Sequence, residues 1–278
     1  MPLPPPSPDS ACLVTGASAG MGAEIARVLA ARGRGVVLVA RREERLRTLA
    51  AGLSARHGVR AEAVVGDLRS ADERERLVAE VAALGLRVDV LVNDAGVAPD
   101  GRVDEKDPAG EVGVVRLNVE AVVDLCTRCA PGMVARGEGG ILNLASTTAF
   151  VPTPNQASYG ASKAFVLSYT DAIGAELHSS GVHVTALCPG PVPTEIFAAA
   201  NDEGIHPVDR VPSLFWRDAA TLAEAGVAGL ERNRARVFVG LPNSLTAQLG
   251  QLAPRNRRVL SLLSKGFTRP DRPNAARR

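Results

Sequence analysis

Aromatic residues are scarce in this chain, at 3% of 278 residues, which argues against a surface built to stack on nucleic-acid bases. An excess of one charge is also missing, and a formal net charge of +2 gives no global reason to bind nucleic acid. Four cysteines (Cys12, Cys126, Cys129, Cys188) are too few for a disulfide framework in a chain of this size. Cys126 and Cys129 form a C-x-x-C, but inside VVDLCTRCAPGMV, a helical pattern. Small core or interface residues in a reducing cytosol fit that context better than a redox pair. The four histidines, His57, His178, His183 and His206, show no metal-ligand spacing and are expected at helix ends or in loops. No apolar run is long enough to span a bilayer. The opening MPLPPPSPDS has neither the basic n-region nor the apolar h-region of a signal peptide. Residues 1–9 are therefore expected to be a disordered, Pro-rich lead-in, and the protein to be cytoplasmic.

What is present is alternation. ACLVT (11–15), GVVLVA (35–40), AEAVV (61–65), VDVLVN (88–93), GILNLAS and VHVTALC (182–188) read as short apolar strands. Between them run helical patterns: one from near Gly20, then EERLRTLAAGLSARHG, DERERLVAEVAALG, a long helix over 111–136 and another over 156–180. Apolar strands separated by amphipathic helices predict an α/β fold, a doubly wound parallel sheet in three αβα layers. A helix near 218–233 and a strand RVFVG (236–240) add one further unit at the sheet edge. No Gly/Ser-rich linker interrupts the pattern. Residues 10–267 read as one domain, with a substrate lid over 191–217 and a basic tail at 268–278.

The first strand runs into TGASAGMG, with Gly16, Gly20 and Gly22 ahead of a helix. Such a turn lets the backbone come close to a pyrophosphate and aims helix N–H groups and the positive dipole end at it. The second strand ends at Ala40, followed by Arg41 and Arg42. Two cations where an acid would accept the ribose 2′-OH favour the phosphorylated cofactor, NADP(H). Asp67, in VVGDL, offers a carboxylate to the adenine amino group. Tyr159 and Lys163 are four apart, so a helix projects both from one face. A phenol of ordinary pKa, about 10, is a poor acid–base catalyst at neutral pH. A nearby ammonium is expected to lower it towards the working range. Ser146 closes a parallel strand, where ligands gather in open α/β sheets, and its hydroxyl can hold and polarise a carbonyl oxygen.

Taken in order, these segments resemble the short-chain dehydrogenase/reductase family over residues 10 to 200. The matching motifs are TGASAGMG from Thr15, NDAG from Asn93, Asn118 in RLNVEA and Ser146 in ILNLAS, then Tyr159 and Lys163 in YGASK, and PGPVPT from Pro189 to Thr194. The resemblance implies a Rossmann fold, NADP(H) as cofactor, and interconversion of a ketone and a secondary alcohol by hydride transfer. It implies that Tyr159 gives its proton to the oxygen in reduction and removes it in oxidation. Lys163 would also bind the nicotinamide ribose, and Asn118 would order a water linking Lys163 to solvent. The cofactor would lie against Gly16, Ser18, Gly20, Met21 and Gly22, and near Arg41, Arg42, Asp67 and Leu68. Asn93, Ala95 and Gly96 would line its adenosine-ribose side, and Pro189, Gly190, Val192 and Thr194 its nicotinamide. Asp94 stands where the family often has a second Asn, and Ala145 where it often has Ser; neither change removes a reacting group. The rival reading is a non-catalytic NADP-binding regulator on the same fold. The Ser146–Tyr159–Lys163 set speaks against it, since a pure binder has no need of a tuned phenol.

The segments that would face substrate, TTAFVPTPNQAS and EIFAAANDEGIHPVDRVPSLFWRD, carry Phe150, Val151, Phe197, Leu214, Phe215 and Trp216. An apolar cover suits a ketone on an alkyl or ring skeleton, ketoacyl or steroid-like, better than a sugar. The stretch from Gln251 to Arg278 carries Arg255, Arg257, Arg258, Lys265 and Arg269 beside Leu260 and Leu263. A helix packed on the body or on a neighbouring subunit is the favoured reading, ahead of one lying on an anionic membrane. The helices at 111–136 and 156–180 resemble those through which the family dimerises, which implies a homodimer or homotetramer.

Overall fold

The computed structural model describes residues 2–192 and 213–252. Seven strands and eight α-helices alternate along them. β1 (Ser10–Thr15), α1 (Gly20–Ala31), β2 (Val36–Ala40), α2 (Glu43–His57), β3 (Ala61–Val65), α3 (Ala71–Ala83) and β4 (Arg87–Asn93) form the first half. α4 (Pro108–Val115), α5 (Ala121–Arg136), β5 (Gly139–Leu144), α6 (Ala157–Glu176), β6 (Val182–Leu187), α7 (Ala219–Glu231), β7 (Arg236–Val237) and α8 (Leu241–Leu252) follow. The strands pair in parallel in the order β3-β2-β1-β4-β5-β6-β7. This is the doubly wound, Rossmann-like sheet, whose strand order reverses between β1 and β4.

Alternate strand residues face opposite sides of a sheet, and here both sides are apolar. Cys12, Val14, Leu38 and Val92 pack with Ile25 and Leu29 of α1 and Leu222 and Leu230 of α7. Leu13, Val37, Leu91 and Ile141 pack on the other face with Leu77 of α3, Leu125 and Met133 of α5 and Val166 of α6. Ser70, Asp107 and Asp218 cap α3, α4 and α7 by accepting from first-turn N–H groups. Such caps satisfy donors that a helix start leaves free. α1, like α2, α5 and α6, starts without a side-chain cap bond, and its first turn holds no acid.

Four expectations need correction. The helix over 111–136 is not uniform: residues Arg116–Glu120 form a π turn between α4 and α5, centred on Asn118. RVFVG contributes only Arg236 and Val237 to the sheet. His183 lies buried in β6, its Nδ1 2.8 Å from the Leu230 carbonyl oxygen. Residues 1–9 are not simply a disordered lead-in, because Leu3 is 6% exposed and joins the core. Gly140 and Leu230 make its seat: a Cβ on Gly140 would lie 2.8 Å from Leu3 Cδ2. One apolar side chain between prolines thus has a place to bury that composition does not reveal.

Candidate active site

The C-terminal ends of β1 and β4 meet at the point where strand order reverses, where open α/β sheets bind ligands. Thr15 Oγ1 joins them, donating to Val92 O (3.2 Å) and accepting from the N–H groups of Asp94 (3.0 Å) and Ala95 (3.1 Å). Gly16 leaves β1 at φ +70°, and a Cβ on it would lie 2.9 Å from Ala95 N. A Cβ on Gly22 would stand 2.8 Å from the Gly16 carbonyl carbon. Side chains at Gly16 or Gly22 would thus collide with the Ala95 backbone and the Asp94 carboxyl packed behind the turn, while α1 starts with no side-chain cap on its first N–H groups, a start that suits a phosphate. Met21 is buried behind the turn and Gly20 opens the helix.

At the end of β2, Arg42 donates from Nε (3.0 Å) and Nη2 (2.9 Å) to Ser18 Oγ, so this arginine lies against the turn. Arg41 is exposed and close enough to Asp67 to lower its pKa, although the main cause there is a hydrogen bond from Arg69. Asp67 and Arg69 are doubly bonded, at 3.0 and 2.7 Å, so that carboxylate already has a partner. The Leu68 side chain belongs to the core and its carbonyl accepts from Arg74 Nη1 at 2.7 Å.

Asn93 departs most from its expected place. Its Nδ2 donates to Asn143 Oδ1 (2.8 Å) and Cys126 Sγ (3.3 Å), and Asn143 in turn donates to Thr170 Oγ1 (3.0 Å). The side-chain NH2 group therefore ties β4 to β5 and α5. Cys126 and Cys129 are both buried and free, with thiols pushed up to about 12 by burial. Gly96 is close to Asn118, whose Oδ1 accepts from Val97 N–H while Nδ2 donates to Val97 O and Ser162 Oγ, each at 3.0 Å. That amide clasps the segment after β4 to α6, and its donors are spent on protein.

Ser146, Tyr159 and Lys163 do come together. Ser146 follows β5; its hydroxyl accepts from Thr148 N–H at 3.1 Å and lies close enough to the Tyr159 phenol to lower its pKa. Lys163 Nζ sits 5.8 Å from the centre of the Tyr159 ring and donates to Leu144 O at 2.6 Å. The expected depression of Tyr159 by Lys163 is absent. Burial pushes the phenol up to about 12, Ser146 partly offsets this, and the charge of Asp94 adds to it. Burial likewise lowers Lys163 to about 8 and raises Asp94 to about 7, each partly restrained by the other. Asp94 keeps some exposed surface, but its carboxyl is enclosed: Oδ2 lies under Gly16 and Gly22. The sequence marked Asp94 as a harmless departure; a carboxylate directly beneath a glycine turn was the signal to weigh it more heavily.

Pro189 holds this floor in place by accepting from Thr147 N–H at 2.9 Å. Gly190 and the buried Val192 follow, and Thr194 and Phe197 lie outside the described residues. Phe150 packs on Phe238 with ring centres 5.6 Å apart. Thr148 Oγ1 and Gln156 Nε2, flanking Ser146 and Tyr159 in the chain, are buried without a hydrogen-bond partner.

A family model described as short chain dehydrogenase matches residues 10–204. The chain is 41% identical over 192 residues to a Streptomyces coelicolor protein inferred to be a ketoacyl reductase, covering 68% of this chain and 73% of that one. It is 33% identical over 259 residues to the very-long-chain 3-oxoacyl-CoA reductase of Anas platyrhynchos, covering 91% and 78%. Two further relatives are longer, and the chain spans 65% of each. A solved short-chain dehydrogenase from Sphingobium yanoikuyae, in complex with NADPH, superposes with a TM-score of 0.77 at 32% identity, covering 89% of this chain and 97% of that one.

Proposed function

The chain belongs to the short-chain dehydrogenase/reductase family of oxidoreductases, which act on the CH–OH/C=O couple, and from that premise we propose that it is an NADP(H)-dependent reductase of hydrophobic ketones. The observation that carries the reading is the buried trio of Ser146, Tyr159 and Lys163 at the end of β5, with the serine close enough to act on the phenol and the ammonium over its ring. A bound nicotinamide cofactor supplies the hydride. Ser146 holds the carbonyl oxygen, and the Tyr159 phenol gives that oxygen its proton. A phenol held near 12 is fully protonated at neutral pH, the form that reduction needs. Lys163 places a charge beside the oxygen as negative charge builds there and binds the nicotinamide ribose. Asn118 holds the wall around Lys163.

Arg42 with Ser18, joined by Arg41, takes the 2′-phosphate, while the turn from Gly16 to Gly22 takes the pyrophosphate. Asp67 meets the adenine, beside Leu68. The backbone at Asn93, Ala95 and Gly96 lines the ribose, and Pro189, Gly190, Val192 and Thr194 hold the nicotinamide. The similar solved structure holds NADPH, which supports this choice. The substrate is a ketone on a ketoacyl, steroid-like or other apolar skeleton. The names of two relatives and the apolar Phe150, Val151 and Trp216 support that class. Thr148 Oγ1 and Gln156 Nε2 supply polar contacts beside the carbonyl. Assembly into a homodimer or homotetramer uses the faces of α4, α5 and α6, where Val115 and Phe165 are exposed apolar side chains.

Titrating NADPH and NADH against the wild type and Arg41→Asp or Arg42→Ala variants tests the cofactor. Loss of one charge-assisted contact should weaken NADPH roughly ten- to a hundredfold and leave NADH nearly unchanged. Equal wild-type affinities would remove the NADP assignment. A panel of ketones with NADPH then tests the reaction; binding without any turnover would favour the regulator.

A further inference from the structure

Asn243 lies far along the chain from every motif, yet three segments of the candidate site converge on it. It stands in the first turn of α8 and is 2% exposed. Its Nδ2 donates to Phe215 O at 3.0 Å and to Val239 O at 2.9 Å. Phe215 belongs to the short helical turn Ser213–Phe215, where the described chain resumes after residue 192, and Val239 follows β7. The third segment is the turn after β6: a Cβ on Gly190 would stand 2.5 Å from Asn243 Oδ1 and 2.7 Å from both Cγ and Nδ2. Gly190 is thus a glycine because the Asn243 amide occupies the space beside it. Arg217 adds to the same junction, donating from its backbone N–H to Pro191 O at 3.5 Å and from Nη1 to Leu214 O at 3.1 Å.

We propose that Asn243 is a positioning residue for the nicotinamide end of the cofactor: its amide fixes the Pro189–Gly190 turn against Phe215 and Val239. The inference rests on the NADP(H) reading above. A buried amide with two donated bonds resists displacement, because leaving its partners unpaired is costly. The turn it braces is therefore held in one place before a ligand arrives, which lowers the ordering cost of binding. The adenosine half, at the ends of β1 and β2, makes no contact with Asn243 and is independent of it.

The test compares two ligands on the same proteins: NADPH, and 2′-phospho-ADP-ribose, which lacks the nicotinamide. Asn243→Ala should bind NADPH roughly tenfold more weakly than wild type and 2′-phospho-ADP-ribose with unchanged affinity. Asn243→Asp, which keeps the shape and loses the two donors, should behave alike and serves if the alanine variant does not fold. Gly190→Ala should also weaken NADPH, and by less in the Asn243→Ala background, where the atoms that crowd a Cβ are gone. NADPH affinity unchanged in both Asn243 variants, equal loss for both ligands, or strict additivity with Gly190→Ala would each overturn the proposal. A wild-type protein that binds neither ligand would instead overturn the cofactor reading on which it stands.

Discussion

Arg74 and Lys163 are both buried cations, and they answer burial in opposite ways. Arg74, on α3, is 2% exposed, yet each arm of its guanidinium has a partner: Asp124 Oδ2 and Glu120 Oε1, both at 2.5 Å, and Leu68 O at 2.7 Å. Burial pulls its pKa down, but the hydrogen bonds it donates to Asp124 and Glu120, with their charges, more than offset this and hold it above its ordinary value. Lys163 donates to a neutral carbonyl, and its charge partner, Asp94, is itself enclosed. Burial wins there, drawing Lys163 to about 8, Asp94 to about 7 and Tyr159 to about 12, each towards its neutral form. The paired cluster fastens α3 to α5. The under-paired cluster costs stability and keeps groups close to changing protonation, as acid–base sites do.

Breaking the paired cluster should give the larger stability effect. The double change Glu120→Gln and Asp124→Asn leaves Arg74 buried without an anion, a loss of about 3–5 kcal/mol, read as a lowered midpoint in urea unfolding. Relieving the under-paired cluster should do the reverse, and only in one pH range. Asp94 binds its proton more tightly folded than unfolded, so its contribution is fully present below the ordinary carboxylate pKa of 3.8 and is lost as pH rises to about 7. Asp94→Asn should therefore stabilise the protein by about 1–3 kcal/mol at pH 8. Thermal melts at pH 4 should show little gain, and an equal gain at both pH values would show that the carboxyl is not held neutral. Smallest of all should be Cys126→Ala and Cys129→Ala. These buried groups are neutral with nothing to ionise for, so NADPH affinity should stay within about twofold and show no dependence on added thiol.

The order of strands and helices was legible because a parallel sheet buried on both faces needs continuous apolar strands such as Val36–Ala40. The trio was legible from spacing and order. Spacing carries no burial, however, and the reading of Tyr159 as lowered by Lys163 failed on that point: the helix does bring the two side chains together, but in a site where desolvation raises the phenol and Asp94 adds to the rise. The π turn at Asn118 was hidden because RLNVE has the composition of ordinary helix. Asn93 and Asn243 were misread or missed for another reason. Their partners, Asn143 and the Gly190 turn, lie about fifty residues away, and no local pattern marks a buried amide that bridges such distances.

The claim that Tyr159 supplies the proton is tested most directly by Tyr159→Phe, which removes one oxygen and leaves the ring. With any ketone that the wild type reduces, steady-state turnover and NADPH titrations are measured on the wild type, Tyr159→Phe and Lys163→Met. General acid–base catalysis is worth roughly 10²–10⁴-fold, so Tyr159→Phe should lose turnover on that scale while binding NADPH as the wild type does. Lys163→Met should lose both turnover and affinity, because its ammonium serves the ribose as well as the reacting oxygen. Turnover by Tyr159→Phe within a few-fold of wild type, with cofactor binding intact, would contradict the account.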